Sequence, residues 1–423
     1  MDTGLRHGCE LARDAFDRLH AIGNDGRGIT RPSYSAAEDQ AHALVERIAS
    51  EHGLLVRRDW AGNLYVTLPG RDRNLPAVMT GSHLDSVPCG GNFDGAAGVL
   101  AAVAVLTGWT RTGFVPDRDV TLIVTRAEES AWFPVSYIGS KAAFGLLTDA
   151  DLAARRVDDD ESLAEHIRAA GGNPDRKDGP GLLNPAQIDS FVELHIEQGP
   201  VLEGTNLPVG LVTGICGSVR YRSIVITGRA AHSGATPRAF RSDAAIAAAR
   251  LMVALDDLWG HLDATGEVMT LTFGVCRTDA SANFSAVAGQ VEMSLDMRSR
   301  DIALLQRVEN DVRRIAAEIA DRHGVAVDLG ARTSSMPAVM DPALLGQTEE
   351  LAKSAGLPFC QLPSGAGHDA ATFAGQGVPA LMIFVRNANG SHNPDESMDF
   401  ADFAVATGLL EKLLRLRSEG RRA

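Results

Sequence analysis

Three short apolar runs in this chain each end abruptly in a knot of acids and histidines. Residues 76–80 lead into Gly81-Ser82-His83-Leu84-Asp85. Val120–Thr125 leads to Glu128-Glu129, and residues 191–194 lead into His195-Ile196-Glu197-Gln198. Short β-rich runs separated by helical stretches describe the strands of an α/β sheet. Polar residues just past the carboxyl ends of such strands are where open α/β sheets carry their sites. One pattern therefore predicts both a fold class and a site location.

The rest of the chain divides around this pattern. Residues 95–106 and 138–147 read as helices that follow two of the polar loops. Residues 151–189 are polar and contain Gly171-Gly172-Asn173-Pro174, which predicts a short helix and an exposed connection. From 210 to 327 the character changes. Strands are expected at 223–227 and 290–297, and in the second Val291, Met293, Leu295 and Met297 alternate with Glu292, Ser294, Asp296 and Arg298. That alternation marks a sheet with one covered face. Helices are expected at 243–258 and 300–322, the latter with Leu305, Val308, Val312, Ile315 and Ile319 at steps of three and four. The region reads as an inserted two-layer α+β domain. Residues 379–385 then read as a strand and a last helix begins near Asp402, so 1–209 and 328–423 form one domain and 210–327 another.

Composition excludes several function classes. The formal net charge is −14 over 423 residues, whereas phosphate-backbone binding needs a basic surface, so no nucleic-acid partner is expected. No apolar stretch approaches the roughly 20 residues of a membrane helix; residues 98–109 are alanine-rich and read as a buried helix. Residues 1–13 show no apolar signal core, and the basic residues of 415–423 read as a solvated helix end. Cys9, Cys89, Cys216, Cys276 and Cys360 are odd in number and widely spaced, which predicts no disulfide framework and a reducing, cytoplasmic location.

The chemistry rests on a small set of residues. Asp94 sits in Gly90-Gly91-Asn92-Phe93-Asp94-Gly95, where glycines permit close backbone approach to a ligand; its plainer reading is the N-cap of the following helix. Glu128 and Glu129 are adjacent carboxylates directly after an apolar strand. Unless solvent separates them they repel, and a bound dication reverses that logic. Neighbouring side chains diverge, so one can ligate a metal while the other reaches an attacking water. A lone histidine is more often structural, but His83, His195 and His392 join Asp94 and Glu129 at strand ends or in glycine-bearing loops. Three imidazoles and two carboxylates suit zinc or a neighbouring first-row dication, whereas calcium and magnesium prefer all-oxygen sites. No phosphate-binding loop, nucleophile elbow or paired-cysteine motif competes.

Gly81-Ser82-His83-Leu84-Asp85-Ser86-Val87, Gly91-Asn92-Phe93-Asp94-Gly95, Glu128-Glu129, His195-Ile196-Glu197-Gln198-Gly199-Pro200, Ser364-Gly365-Ala366-Gly367-His368-Asp369 and Ser391-His392-Asn393-Pro394 resemble the motif series of the M20 metallopeptidase superfamily. His195 with Gln198 narrows the resemblance to the hydantoinase/carbamoylase-type amidases, a group that includes N-carbamoyl-L-amino-acid hydrolases, allantoate and ureidoglycolate amidohydrolases and β-ureidopropionases. The resemblance covers nearly the whole chain in the correct order. It implies a zinc-exopeptidase-like catalytic α/β domain with an inserted lid that also dimerises. It implies two divalent cations per subunit, zinc first, with manganese, cobalt or nickel as alternatives. His83 and His195 would hold one, Glu129 and His392 the other, with Asp94 bridging and Asp85 orienting His83. Glu128 would serve as general base. His232 would polarise the substrate carbonyl from across a homodimer, and Arg298 would grip a substrate carboxylate. Gln198, Asn283, Ser285, Gly365 and His368 would complete the contacts to a small-molecule substrate.

The plainer readings are a turn residue for His232 and an ion pair with Asp296 for Arg298. Two positions depart from the family pattern. Ser285 stands where an asparagine is usual, with Asn283 nearby, and Trp132 stands where an arginine is usual. The expected reaction is hydrolysis of a linear carbamoyl or ureido amide, first of an N-carbamoyl-L-amino acid. Allantoate, ureidoglycolate or β-ureidopropionate hydrolysis and a di-zinc aminoacylase or dipeptidase are the alternatives. A non-catalytic binding protein would have no use for Glu128.

Overall fold

The computed structural model describes residues 2–419, so the last four residues of the basic 415–423 tail lie outside the described residues. Two compact units emerge, Met1–Thr213 with Val339–Ala423, and Gly214–Ala338.

In the first unit the apolar runs form the middle of a nine-stranded sheet. Among the described residues its order is Leu55–Arg58, Leu64–Leu68, Val120–Thr125, Ala77–His83, Ile188–Ile196, Ala380–Val385, Val209–Ile215 and Ala338–Val339, with Phe359–Ser364 also on Val209–Ile215. Ala77–His83 is parallel to Val120–Thr125 and to Ile188–Ile196, and Ala380–Val385 is parallel to Ile188–Ile196. These central strands are buried on both faces, as unbroken Val/Ile/Leu runs require. Pairing of His83 with Thr125, and of His195 with Phe384, aligns the carboxyl ends. The expected strand at 191–194 is longer than read. It continues through Ile196 because Ala380–Val385 pairs along it, so His195 lies inside the strand rather than past it.

The helix expected at 95–106 runs from Ala96 to Thr112 and stops where Gly113 turns left-handed. That expected at 138–147 ends at Ala143. Helix Thr3–Ala21 packs closely on Ala96–Thr112, because glycine and alanine line the seam. A Cβ at Gly8 would lie 2.0 Å from the Ala104 carbonyl oxygen. Residues 151–189 are less open than their polarity suggests, since Leu152, Leu163 and Ile167 bury against Trp60, Trp132 and Phe133.

In the second unit, Gly217–Thr227 pairs antiparallel with Gln290–Ser299. Ala326–Asp328 and Arg332–Ser335 flank the former, Thr270–Thr272 and Cys276–Thr278 the latter. Val291, Met293, Leu295 and Met297 turn inward against Val308, Val312, Ile315 and Ile319 of helix Ile302–His323 and against helix Ala244–Ala264. This is a two-layer α+β unit. It extends past residue 327 to Ala338, because Arg332–Ser335 adds a further strand to Gly217–Thr227. Among the described residues no helix is long and apolar enough to cross a membrane.

Gly8→Ala is expected to lower stability by about 1–3 kcal/mol, the usual cost of overpacking. Gly204→Ala, in a helix where a Cβ meets nothing, should be neutral or stabilising by up to about 1 kcal/mol. Thermal melting of the two variants checks the pair, and equal shifts would refute the close-packed seam.

Candidate metal centre

The aligned strand ends bring five donors together. His83 closes Ala77–His83, and His195 is the penultimate residue of Ile188–Ile196. Asp94 lies in the loop before helix Ala96–Thr112, and Glu129 follows Val120–Thr125. His392 lies in the loop after Ala380–Val385, closed by a bridge between Ala388 and Ser397. Gly95 makes the assembly possible: at φ +64, any Cβ there would sit 2.6 Å from the His83 ring. Asp94 does not cap the helix. Gly95 holds the cap position without a side-chain hydrogen bond, and the Asp94 carboxylate turns to the histidines instead.

His83 Nε2 lies 3.6 Å and His195 Nε2 3.2 Å from Asp94 Oδ1; His392 Nε2 lies 3.4 Å from Asp94 Oδ2 and 3.3 Å from Glu129 Oε1. The two subsets, His83 with Asp94 and His195, and Asp94 with Glu129 and His392, each have mutual donor distances suited to one ion.

The protons on the two buried imidazoles are assigned by their other contacts. His83 Nδ1 is 3.1 Å from the Asp85 carbonyl oxygen, and His195 Nδ1 is 2.9 Å from that of Ile196. Each Nδ1 therefore donates, and each Nε2 presents a lone pair, that of His195 also accepting from Gly95 N at 3.1 Å. Asp94 Oδ1, which both face, is buried without a hydrogen-bond partner. An acceptor oxygen faced by two imidazole Nε2 atoms calls for a cation or a proton between them.

Without a metal ion, the same acids draw protons onto the imidazoles instead. Burial opposes charge on His83, yet Asp85, Glu128 and Asp94 hold its pKa well above the usual imidazole value. Burial also opposes charge on His392, which Asp94 and Glu129 nonetheless push up to about 11. Glu128 is raised well above the usual carboxylate range by burial, with Glu129, Asp369 and Asp85 adding to it and His83 opposing. Its Oε2 is 3.9 Å from His83 Nε2. The five donors fit one or two divalent cations.

Asp85 does more than orient His83. Its Oδ1 accepts from Glu128 N and its Oδ2 from Glu129 N, each at 3.1 Å, and Oδ2 also accepts from Ser33 Oγ at 2.7 Å. Gln198 is turned inward: its Nε2 donates to Asp94 Oδ2 at 2.8 Å. His368 is 2% exposed; it packs edge-on against the His195 ring at 4.5 Å and bonds Ser364 Oγ through Nε2. This placement makes it a support for His195 rather than an open wall. Gly365 adjoins open space, where a Cβ would meet nothing.

His232, Asn283, Ser285 and Arg298 belong to the second unit. His232 is exposed, and its Nδ1 accepts from Gly234 N and Ala235 N at 3.1 Å each, so its proton resides on Nε2. The Ala231–His232 and Ala286–Val287 pair brings Ser285 beside it, with Ser233 N donating to Ser285 O. The side chain of Asn283 accepts from the N and Oγ of Ser285. Arg298 donates from Nε and Nη2 to Asp296 at 3.1 and 2.8 Å, the ion pair that the strand pattern allows.

Sequence reasoning did not single out Glu193, Glu396, Asn387 or Ser391. Glu193 accepts from Ser82 Oγ and Ala370 N beneath the site, and burial with Asp369 nearby pushes it up to about 7. A glutamate inside an apolar parallel strand was the signal. Glu396 accepts from Phe93 N, Asp94 N and Ser391 Oγ. Ser391 Oγ also bonds Asp94 Oδ2, and Asn387 Oδ1 accepts from Gln198 N. Trp132 is buried and donates from Nε1 to Ser86 O at 2.7 Å, so it ties the loop after Glu129 to the one after His83.

Residues 79–416 match peptidase family M20/M25/M40. The chain is 35% identical to an N-carbamoyl-L-amino acid amidohydrolase of Geobacillus stearothermophilus, over 93% of this chain and 96% of that one. It is 33% identical to an allantoate amidohydrolase of Escherichia coli, over 97% and 98%. The crystal structure of an amidase of the hydantoinase/carbamoylase family from Burkholderia multivorans superposes with a TM-score of 0.84 at 28% identity, over 97% and 98% of the two chains.

Asp85→Asn places an NH2 group against a backbone N–H that now meets carboxylate oxygen. It is expected to weaken binding of a first-row dication by about 10–100-fold, as loss of a ligand's supporting hydrogen bonds commonly does. Competition with a chromophoric chelator measures this, and unchanged affinity would count against Asp85 as the organiser.

Proposed function

The chain belongs to peptidase family M20/M25/M40, and we propose that it is a metal-dependent amidohydrolase acting on the carbamoyl C–N bond of an N-carbamoyl-L-amino acid. The observation that carries this reading is the buried Asp94 Oδ1, without a hydrogen-bond donor and faced by the Nε2 atoms of His83 and His195, with Glu128 beside them. The activities of the similar proteins support the substrate class: the Geobacillus relative acts on N-carbamoyl-L-amino acids and the Escherichia relative on allantoate.

His83 and His195 would hold one cation and Glu129 and His392 a second, both sharing Asp94. The mixed nitrogen and oxygen set favours zinc, with manganese, cobalt or nickel as alternatives. Bound divalent cations supply Lewis acidity, which eases water ionisation at neutral pH and polarises a carbonyl. Glu128 takes the proton of the attacking water and delivers it to the leaving nitrogen. A carboxyl group raised by burial suits both halves of that transfer. His232, with its proton on Nε2, donates to the developing oxyanion. Arg298 exchanges Asp296 for the substrate carboxylate, with Asn283, Ser285, Gln198 and Gly365 as further contacts. The products are ammonia, carbon dioxide and the free amino acid. We further propose a cytoplasmic homodimer; the five free cysteines support a reducing compartment. Recovery of turnover on mixing inactive His232→Ala and Glu128→Gln proteins would support the dimer, and mixed dimers that stay inactive would remove His232 from a shared site.

Chelation should abolish turnover and zinc, manganese, cobalt or nickel should restore it. A screen of N-carbamoyl, ureido, N-acyl and dipeptide substrates then identifies the leaving group, since only the first two release carbon dioxide. Glu128→Gln should keep its metal and lose about 10²–10⁴-fold in turnover, whereas Glu129→Gln should lose metal. Swapped behaviour would reverse the two roles.

Steady-state kinetics separates the remaining two roles. His232→Ala should lower kcat with metal content intact, and Arg298→Ala should mainly raise KM for carboxylate-bearing substrates. An Arg298→Ala enzyme with unchanged KM would confine Arg298 to its ion pair with Asp296.

A further inference from the structure

The residue before the base has an unusual backbone. Ala127 lies at φ +52, in the left-handed region that alanine avoids. A second non-glycine residue, Tyr34, lies at φ +59. One side chain binds the amides of both. Glu38, in the first turn of helix Ala36–Glu51, accepts Ala127 N on Oε1 at 3.0 Å and Tyr34 N on Oε2 at 2.6 Å. Oε2 also pairs with Arg126 Nη1 at 2.8 Å, and Arg126 additionally pairs with Asp39. Glu38 is fully buried.

These bonds close a ring. Glu38 holds Tyr34, whose neighbour Ser33 donates to Asp85 Oδ2; Asp85 Oδ1 accepts from Glu128 N, and Glu128 follows Ala127, which returns to Glu38. The ring contains none of the five metal-type donors, yet it holds the successive amides of Ala127 and Glu128. A buried carboxylate that spans two strained amides has no replacement from solvent. We propose that Glu38 is a positioning residue: it holds Ala127 left-handed and so aims the Glu128 carboxylate at the reacting centre, separately from metal binding. The inference rests on the reading of Glu128 as the base.

The mechanism makes Ala127 the reporter. A glycine adopts φ +52 without strain, so a chain carrying Ala127→Gly needs the clamp less. Glu38→Gln forces an NH2 against one of the donors; Asp39 remains to pair with Arg126. Glu38→Asp keeps the charge but falls one methylene short, and carries the same test should Glu38→Gln not fold. On the metal-free proteins, amide hydrogen exchange at Ala127 should rise by at least about tenfold in the Glu38 variant while exchange in the central strands holds. On the metal-loaded proteins, metal content and KM should stay near wild type, and kcat should fall about 10–100-fold, as a misplacement near 1 Å can cost. Adding Ala127→Gly should restore most of the lost kcat. Unchanged exchange at Ala127, or Glu38 and Ala127 effects that only multiply, would overturn the proposal. A Glu128→Gln enzyme that turned over at the wild-type rate would instead overturn the role of Glu128, and exchange at Ala127 would still decide whether Glu38 holds the turn.

Discussion

The structure is organised around a surplus of buried negative charge. Asp85, Asp94, Glu128, Glu129, Glu193, Asp369 and Glu396 are all buried in the first unit. Isolated carboxylates are not tolerated in such surroundings. Two buried guanidinium groups answer part of the demand. Arg31 is lowered to about 10 by burial, against the pull of Asp85, Glu396, Asp94 and Glu38, and it donates to the Leu84 carbonyl behind the His83 loop. Arg126 is held up by Glu38. Backbone amides answer another part, since Asp85, Glu193, Glu396 and Glu38 each accept at least one. Among the described residues two of these carboxylate oxygens keep no donor, Asp369 Oδ1 and Asp94 Oδ1, and Asp94 Oδ1 is the one that faces His83 and His195, which suits it to a cation.

Satisfying those carboxylates dictates the local backbone. Left-handed non-glycine residues gather on the loops that carry the donors: Ala127 before Glu128, Gln198 after His195, His392 itself, and Asn389 in the same loop. Each such residue is strained, and strain persists only where surrounding contacts over-determine it. At Gln198 the contact is Asn387 Oδ1 on its amide; at Ala127 it is Glu38. The strands themselves are regular. The sheet supplies a rigid edge, and irregular turns aim the side chains from it.

This division explains what could be read from the sequence. The apolar runs, the acids and histidines at their ends and the alternating strand 290–297 are local patterns, and they yielded the sheet, the α+β unit and five side chains that the fold brings together. What stayed hidden depends on distant pairings. Glu396 reaches Asp94 across 302 positions, and Glu38 reaches Ala127 across 89. Glu38 reads as an ordinary helix residue until the fold buries it. Asp94 was locally ambiguous between N-cap and ligand; the fold leaves the cap position to Gly95 and turns the Asp94 carboxylate toward His83 and His195. The polar stretch 151–189 misled for the complementary reason: three apolar residues, Leu152, Leu163 and Ile167, outweigh its charge once Trp60 and Phe133 are there to cover them.

The two departures from the family pattern fall on opposite sides of this division, and their physical consequences differ. Trp132 lies in the first unit, where its ring joins a buried apolar cluster and its Nε1 holds Ser86 O. A tryptophan there is held by packing and one hydrogen bond, and it adds no charge to a site already rich in buried charge. Ser285 lies in the second unit, bonded to Asn283 next to a fully exposed Phe284. Among the described residues its hydrogen bonds run to Asn283 and Ser233, within the second unit. The five donors and Glu128 all belong to the first unit, whereas His232, Asn283, Ser285 and Arg298 belong to the second. The buried charge balance, which tolerates little alteration, is thus confined to the first unit, and substitutions in the second leave it as it is.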